Sequence, residues 1–282
     1  MRKIVSGVYF EEAYPGVTLG AVALPKGVVM IDAPLRPGDG RAWQKTIREI
    51  GGGSNRFLVN LDPHPDRTLG VRIMDSTVLA HEAAAEVSYQ RPAIFKAQVV
   101  ESGAAWEMCT GLSGIRWLPP DIVYTDRASL HLEGTEVVAE YHPGPEAGAS
   151  WLILPEKKVA FIGDAVPVKQ PPFLANADLD AWTETLDLLL SKEYKEYKLV
   201  SGRGGLVGEE EIRNVRRFIK KVDRQLERLS KRRASPQATD KMVETLLATI
   251  ESPAKYRNFY SQRLQYGLYH YYARHYYSSS SK

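Results

Sequence analysis

The stretch Asn60-Leu61-Asp62-Pro63-His64-Pro65-Asp66-Arg67-Thr68-Leu69-Gly70 follows an apolar run, Arg56-Phe57-Leu58-Val59, that predicts a short buried strand. It closes on Thr-Leu-Gly, which suits entry into a helix. Asp62, His64 and Asp66 alternate with Pro63 and Pro65. Alternation on an extended backbone sends the three side chains the same way, and the prolines stiffen the segment. A rigid loop at a strand end with converging polar groups is a common build for a catalytic centre. Taken alone, the pattern fits a polar turn with one solvated histidine better, so the rest of the chain has to decide.

Upstream, residues 4–10, 17–24 and 27–32 predict three strands, the last two joined by Pro25-Lys26-Gly27 and ending at Asp32. Residues 40–50 predict a short amphipathic helix through Trp43, Ile47 and Ile50. Downstream, 68–75 reads as helix, 77–80 as a strand ending at His81, and 82–90 as helix again. This alternation argues for an α/β layered fold. Short strands follow at 122–124, 128–132, 136–141, 150–154 and 159–162, the last ending at Gly163-Asp164. A helix at 178–193 precedes a strand at 198–200 and the loop Ser201-Gly202-Arg203-Gly204-Gly205. From 208 onward the chain reads as helices, with Ser235-Pro236 and Ser252-Pro253 as starts. The tail 278–282 is expected to fray.

The 282 residues carry 37 Lys or Arg against 34 Asp or Glu, a balance too even to imply a partner. The basic excess is local, with ten Lys or Arg against three acids in 211–233. No aromatic residue but Phe218 interleaves those charges, so a solvated helix face is expected there and nucleic acid is not. One cysteine, Cys109, excludes an intrachain disulfide and a cysteine metal cluster. No apolar run has membrane-spanning length, and Glu11 and Glu12 interrupt any signal-peptide core, so a cytoplasmic protein without membrane contact is expected. Tyr256, Tyr260, Leu264, Leu268, Tyr272 and Tyr276 recur every four residues. That stripe predicts a homodimer or higher oligomer, with the helix crossing to a partner or lining a cleft mouth.

Taken in order, these segments resemble the metallo-β-lactamase superfamily. Val29-Met30-Ile31-Asp32 looks like its early strand ending in Asp, and Asn60 to Gly70 looks like its T-H-x-H-x-D-H-x-x-G motif. Leu79-Ala80-His81 is similar to the strand after it, and Leu118 to Asp126 to the loop before the second half. Tyr141-His142-Pro143-Gly144-Pro145 falls at the P-G-H motif, Val159 to Asp164 at the strand ending in G-D, and Ser201-Gly202-Arg203-Gly204 at the late P-G-H-G. The resemblance implies an α/β (α+β) fold, a four-layer αβ/βα sandwich of the metallo-β-lactamase type over residues 1–207. A C-terminal helical extension over 208–282 would pack against it.

In that family two metal ions sit between the sheets on histidines and aspartates. Carried over by position, the first motif's histidines become Asp62, His64 and Arg67, and its aspartate is Asp66. The P-G-H histidine becomes Pro145, the bridging aspartate is Asp164, and the late histidine becomes Arg203. Proline offers no ligand and arginine has no lone pair to give. A two-metal centre is therefore not expected. One divalent ion (zinc, iron or manganese) on Asp62, His64 and Asp164, or none, is the remaining choice, and an Arg–carboxylate network can fill the vacated space. The leading expectation is a degenerate metal site turned into an Arg/Asp pocket. Arg67 and Arg203 would bind a small anionic ligand there with His64 as the acid or base of a non-metal reaction, whereas Asp66 would be general base for a metal-bound water in the mononuclear alternative. The alternatives are a mononuclear metal-dependent hydrolase of an ester or phosphoester, and a non-catalytic binding or oligomerisation module.

Overall fold

The computed structural model describes residues 1–98 and 100–277. The expected fraying at 278–282 lies outside the described residues. Two sheets carry the fold. The first runs in order β1 (Arg2–Val5), β2 (Val8–Glu11), β3 (Leu19–Leu24), β4 (Gly27–Ile31), β5 (Asn55–Val59), β6 (Thr77–His81) and β7 (Ile122–Tyr124). Its first four strands are antiparallel neighbours, and β4 to β7 pair in parallel. The second has the order β13 (Gly205–Val207), β12 (Lys198–Ser201), β11 (Val159–Phe161), β10 (Ser150–Leu154), β9 (Thr135–Tyr141) and β8 (Arg127–Leu132). Only β11 and β12 pair in parallel there.

Alternation along the strands builds the layers. Val29 and Ile31 of β4 join Leu152, Leu154 and Phe161 in the core between the sheets. Val28 and Met30 point the other way, onto Trp43 and Ile47 of helix α1 (Pro37–Glu49). Trp151 and Ile153 face outward into a larger core beneath the remaining helices. A period of two with both faces buried is what a central strand of a four-layer sandwich requires.

The helices on that second face are α4 (Leu179–Leu189), α5 (Glu209–Lys231), α6 (Asp240–Leu247) and α7 (Arg257–Tyr272). Their buried residues form one cluster with β9 to β12, so position 208 marks a change from strand to helix and not a break in the core. The tyrosine stripe is spent within this cluster. Tyr260, Leu264, Leu268 and Tyr272 are buried against α4, α5 and α6, while Tyr256 and Tyr276 pack at its edge. The expectation that the stripe itself faces a partner is corrected to that extent, because the chain's own apolar residues already cover it. Among the described residues no helix is long and apolar enough to cross a membrane.

Two local elements differ from expectation. The strand expected over 4–10 is a hairpin, β1 and β2, turned at Gly7 with φ +75°. The helix expected over 68–75 is split into α2 (Pro65–Thr68) and a 3-10 turn, Val71–Met74. Between them Gly70 packs so closely that a Cβ there would stand 1.8 Å from the Pro34 carbonyl oxygen. A backbone carbonyl cannot yield as a side chain does, so Gly70→Ala is expected to cost about 1–3 kcal/mol. A change of the urea midpoint below a few tenths of that would refute the packing argument.

Candidate functional site

The polar residues meet at the ends of parallel strands. Asp32 follows β4 with φ 59°, an uncommon left-handed conformation for a residue with a side chain. Asn60 to His64 follow β5, Asp164 follows β11, and Arg203 follows β12. Backbone bonds lock these ends together: Gly202 N donates to Gly163 O at 2.7 Å, and Ala33 N donates to Arg67 O at 3.0 Å. Helix α2 begins at His64, whose Nδ1 accepts the Asp66 N–H at 3.1 Å and caps it.

Arg67 is fully buried among three carboxylates. Its Nη1 donates to Asp32 Oδ2 at 3.0 Å and its Nη2 to Asp164 Oδ1. Its Nε lies 3.1 Å from Asp62 Oδ1, close enough to attract it but not aligned as a hydrogen bond. Arg203 donates from Nε to Asp164 Oδ2 at 2.8 Å, and from Nη1 to Asp66 Oδ2 at 2.8 Å and Gly16 O at 2.7 Å. Asp164 thus bridges the two guanidinium groups.

Four carboxylates stand against two guanidiniums, an acidic excess that falls unevenly on the four acids. Burial pushes Asp32 up to about 7 despite Arg67 beside it. Burial also raises Asp62, with Arg67 opposing and Asp164 reinforcing. Asp66 and Asp164 stay below the usual range. Burial alone would raise Asp66, but His64 and Arg203 outweigh it; for Asp164 the two arginines outweigh it.

These residues do not suit a resident metal. Arg67 stands among Asp32, Asp62 and Asp164 and donates to Asp32 and Asp164, where an ion would need lone pairs. Among the described residues no group of three or more His, Cys, Asp or Glu is arranged to hold one. His142 lies beside Trp151 with ring centroids 3.6 Å apart, its Nε2 3.1 Å from Glu140.

His64 Nδ1 takes the Asp66 N–H and faces Arg203 Nη2 at 3.2 Å. Two donors on Nδ1 leave the ring proton on Nε2, so His64 offers a donor where a base needs a lone pair. Burial pushes its pKa down to about 3, with Arg203 adding to the effect and Asp66 opposing. Asp66 is fully buried, and its oxygens take the Ala105 and Trp106 N–H groups besides Arg203. The linkage has a definite sign. Between pH of about 6.5 and 3 the unfolded chain gains a proton on this histidine that the folded site refuses, so acidification destabilises. Wild type is expected to lose about 2 kcal/mol more than His64→Gln between pH 7 and pH 5. Equal losses in urea titrations would show that this histidine titrates normally.

A cleft of about 400 Å³ opens beside His64. Its apolar wall includes Val100, Trp106, Phe173 and Leu174, and its charged residues are Arg91, Arg263, Arg274 and Glu146. Arg67 does not line it, and Arg203, 2% exposed, reaches only a smaller void beside it. The donors of these two arginines, expected to grip a ligand, are committed to carboxylates, while Arg91, Arg263 and Arg274 line the larger cleft. Arg91 and Arg263 escaped the sequence reading because they belong to no motif. Arg91 directly follows the helix that ends at Gln90, and Arg263 lies on α7.

Residues 21–203 match the Metallo-beta-lactamase superfamily. The chain belongs to that superfamily. Solved structures agree on the metallo-β-lactamase fold. The sec-alkylsulfatase Pisa1 from Pseudomonas sp. is 14% identical with a TM-score of 0.69, covering 97% of this chain and 49% of its own. The chain therefore spans about half the length of that sulfatase. A metallo-beta-lactamase family protein from Thermus thermophilus is 17% identical with a TM-score of 0.66, covering 96% of this chain and 94% of its own. A metallo-beta-lactamase from Pontibacter korlensis is 18% identical with a TM-score of 0.61, covering 78% and 97%. Among curated proteins none matches. At these identities the likeness concerns the metallo-β-lactamase fold alone.

Proposed function

We propose that this protein is a metal-independent member of its superfamily that binds a small anionic molecule in the cleft beside His64. The buried Arg67–Arg203–aspartate network acts as its rigid floor. The observation that carries the reading is Arg263. It is 2% exposed, lines the cleft, and has no carboxylate within ion-pairing distance among the described residues. A buried cation met only by neutral groups is costly unless a counter-charge arrives. His64, with its proton on Nε2, serves as a second donor and not as a general base. The mononuclear-hydrolase reading would need Asp62, His64 and Asp164 to release the arginines and backbone groups they now face.

The test is thermal unfolding of the full-length chain with phosphate, sulfate and carboxylates, against chloride at equal ionic strength. An upward shift specific to one of these anions is expected. No shift at millimolar concentrations would sink the reading. A cytoplasmic setting and a homo-oligomer belong to the same proposal, although α7 offers a partner only its outer face. The charged face of α5 is read as solvated, since Phe218 is buried and gives no platform for a base.

A further inference from the structure

We infer that the cleft takes an organic acid with an apolar body, its head on Arg263 and its body against Phe173, Leu174 and Trp106. The inference rests on the anion-site reading above and narrows its ligand class.

The head position is built in advance. Arg263 Nε donates to Gly103 O at 2.8 Å, and Nη1 to Gln170 Oε1 at 2.8 Å and Pro171 O at 3.0 Å. The guanidinium carbon sits 4.0 Å from the Phe173 ring centroid. Gly103 permits this approach, because a Cβ there would stand 2.5 Å from Arg263 Cβ. Nη2 has no hydrogen-bond partner among the described residues, yet it is not one of their sealed-off polar atoms, so it faces open space. A cation immobilised on three sides and open on one spends little entropy in gripping an anion. Burial, helped by Arg203 and opposed by Asp66, pushes its pKa down to about 9.

The walls select the body of the ligand. Pro63, Pro65, Val87 and Val100 join the aromatic and leucine side chains around the cavity. Its volume of about 400 Å³ equals roughly 13 water shares of about 30 Å³. A bare phosphate or acetate would leave most of that apolar surface wet. An aryl or alkyl group would remove it from water, at about 25 cal/mol per Å². Mixed apolar walls with a few placed polar groups are the usual make-up of an organic-ligand site.

Glu146 is the acid that lines this cleft, against Arg91, Arg263 and Arg274. Its carboxylate stands in the same cleft, held by Ala147 N at 3.1 Å and Asn176 Nδ2 at 3.2 Å, with no cationic partner within ion-pairing distance among the described residues. Asp164 lies in the adjoining void. The cleft lining sets three guanidiniums against the one carboxylate of Glu146, which favours an anionic head group. The residues that read the head and part of the body, Arg263, Tyr266 and Gly267, lie on α7, beyond the segment that matches the superfamily. The head position is therefore supplied by the C-terminal helices, and most of the apolar wall by the superfamily segment.

Calorimetric titration of the full-length chain tests this with 2-naphthoate, benzoate, acetate, inorganic phosphate and phenyl phosphate. 2-Naphthoate should bind at least about tenfold tighter than acetate or phosphate. Phenyl phosphate should bind tighter than inorganic phosphate. Val100→Glu, at an exposed position of the cleft wall, keeps the fold intact and should weaken naphthoate by about tenfold or more. Arg263→Gln should do the same, with its unfolding midpoint measured in parallel. If phosphate or acetate binds as well as naphthoate and Val100→Glu still weakens it, the organic-acid inference fails while the anion site stands. If naphthoate binds equally to wild type and Val100→Glu, the cleft assignment fails. If no anion binds, both readings fall.

Discussion

Replacing Arg67 by methionine is expected to be among the most damaging single changes in this protein. The substitution keeps an unbranched side chain of similar reach but removes the cation between Asp32, Asp62 and Asp164. All three carboxylates are buried, so water cannot replace the lost partner. Removing one member of a buried ion pair typically costs about 3–5 kcal/mol, and here three acids lose the same partner. Against a total stability of about 5–15 kcal/mol, the variant should be barely folded at pH 7. Its deficit should shrink on acidification, because protonated carboxyls need no cation. Adding Asp32→Asn and Asp62→Asn should restore much of the loss, a coupling that independent sites would not show. If Arg67→Met unfolds within about 1 kcal/mol of wild type in urea, the network contributes little and its proposed role as the floor of the site falls.

The second large effect concerns zinc. Wild-type protein, stripped by a chelator and dialysed against zinc, is expected to retain well under one equivalent. The combined variant Asp62→His, Arg67→His, Pro145→His and Arg203→His replaces the two guanidiniums with imidazole lone pairs, leaving Asp66 and Asp164 to complete a donor set. It should take up about one to two zinc ions, with a stability that depends on them. A variant that folds only with zinc would serve equally well as a readout. If wild type binds zinc in the same amount and as tightly as the combined variant, then the arginines do not stand in for the metals.

Much of this molecule is legible in its sequence because the relevant signals are local. The run Val28-Val29-Met30-Ile31 announces a strand buried on both faces, and α3 (Glu82–Gln90) and β10 fall where the pattern puts them. β13 was not legible, since Gly-Leu-Val after a glycine-rich loop carries no alternation and becomes a strand only by pairing with β12. The tyrosine stripe was ambiguous for a related reason. Spacing identifies an apolar face but not what covers it, and here the covering residues lie on α4, α5 and α6.

The site divides along the same line. The residues standing at the superfamily's histidine positions, Asp62, Arg67, Pro145 and Arg203, can be read without coordinates, because side-chain chemistry at aligned positions needs none. Which acid answers which arginine depends on how the chain packs. Asp32 reaches Arg67 across 35 residues and Asp164 across 97, and Arg203 reaches Asp66 across 137. Packing also exhausts both arginines with these contacts, and it leaves Arg263, 160 residues from the Gly103 carbonyl it binds, with an open donor. Ionic and hydrogen-bonding partners are set by distance and burial, and both are settled when the strands stack into sheets and the sheets pack together.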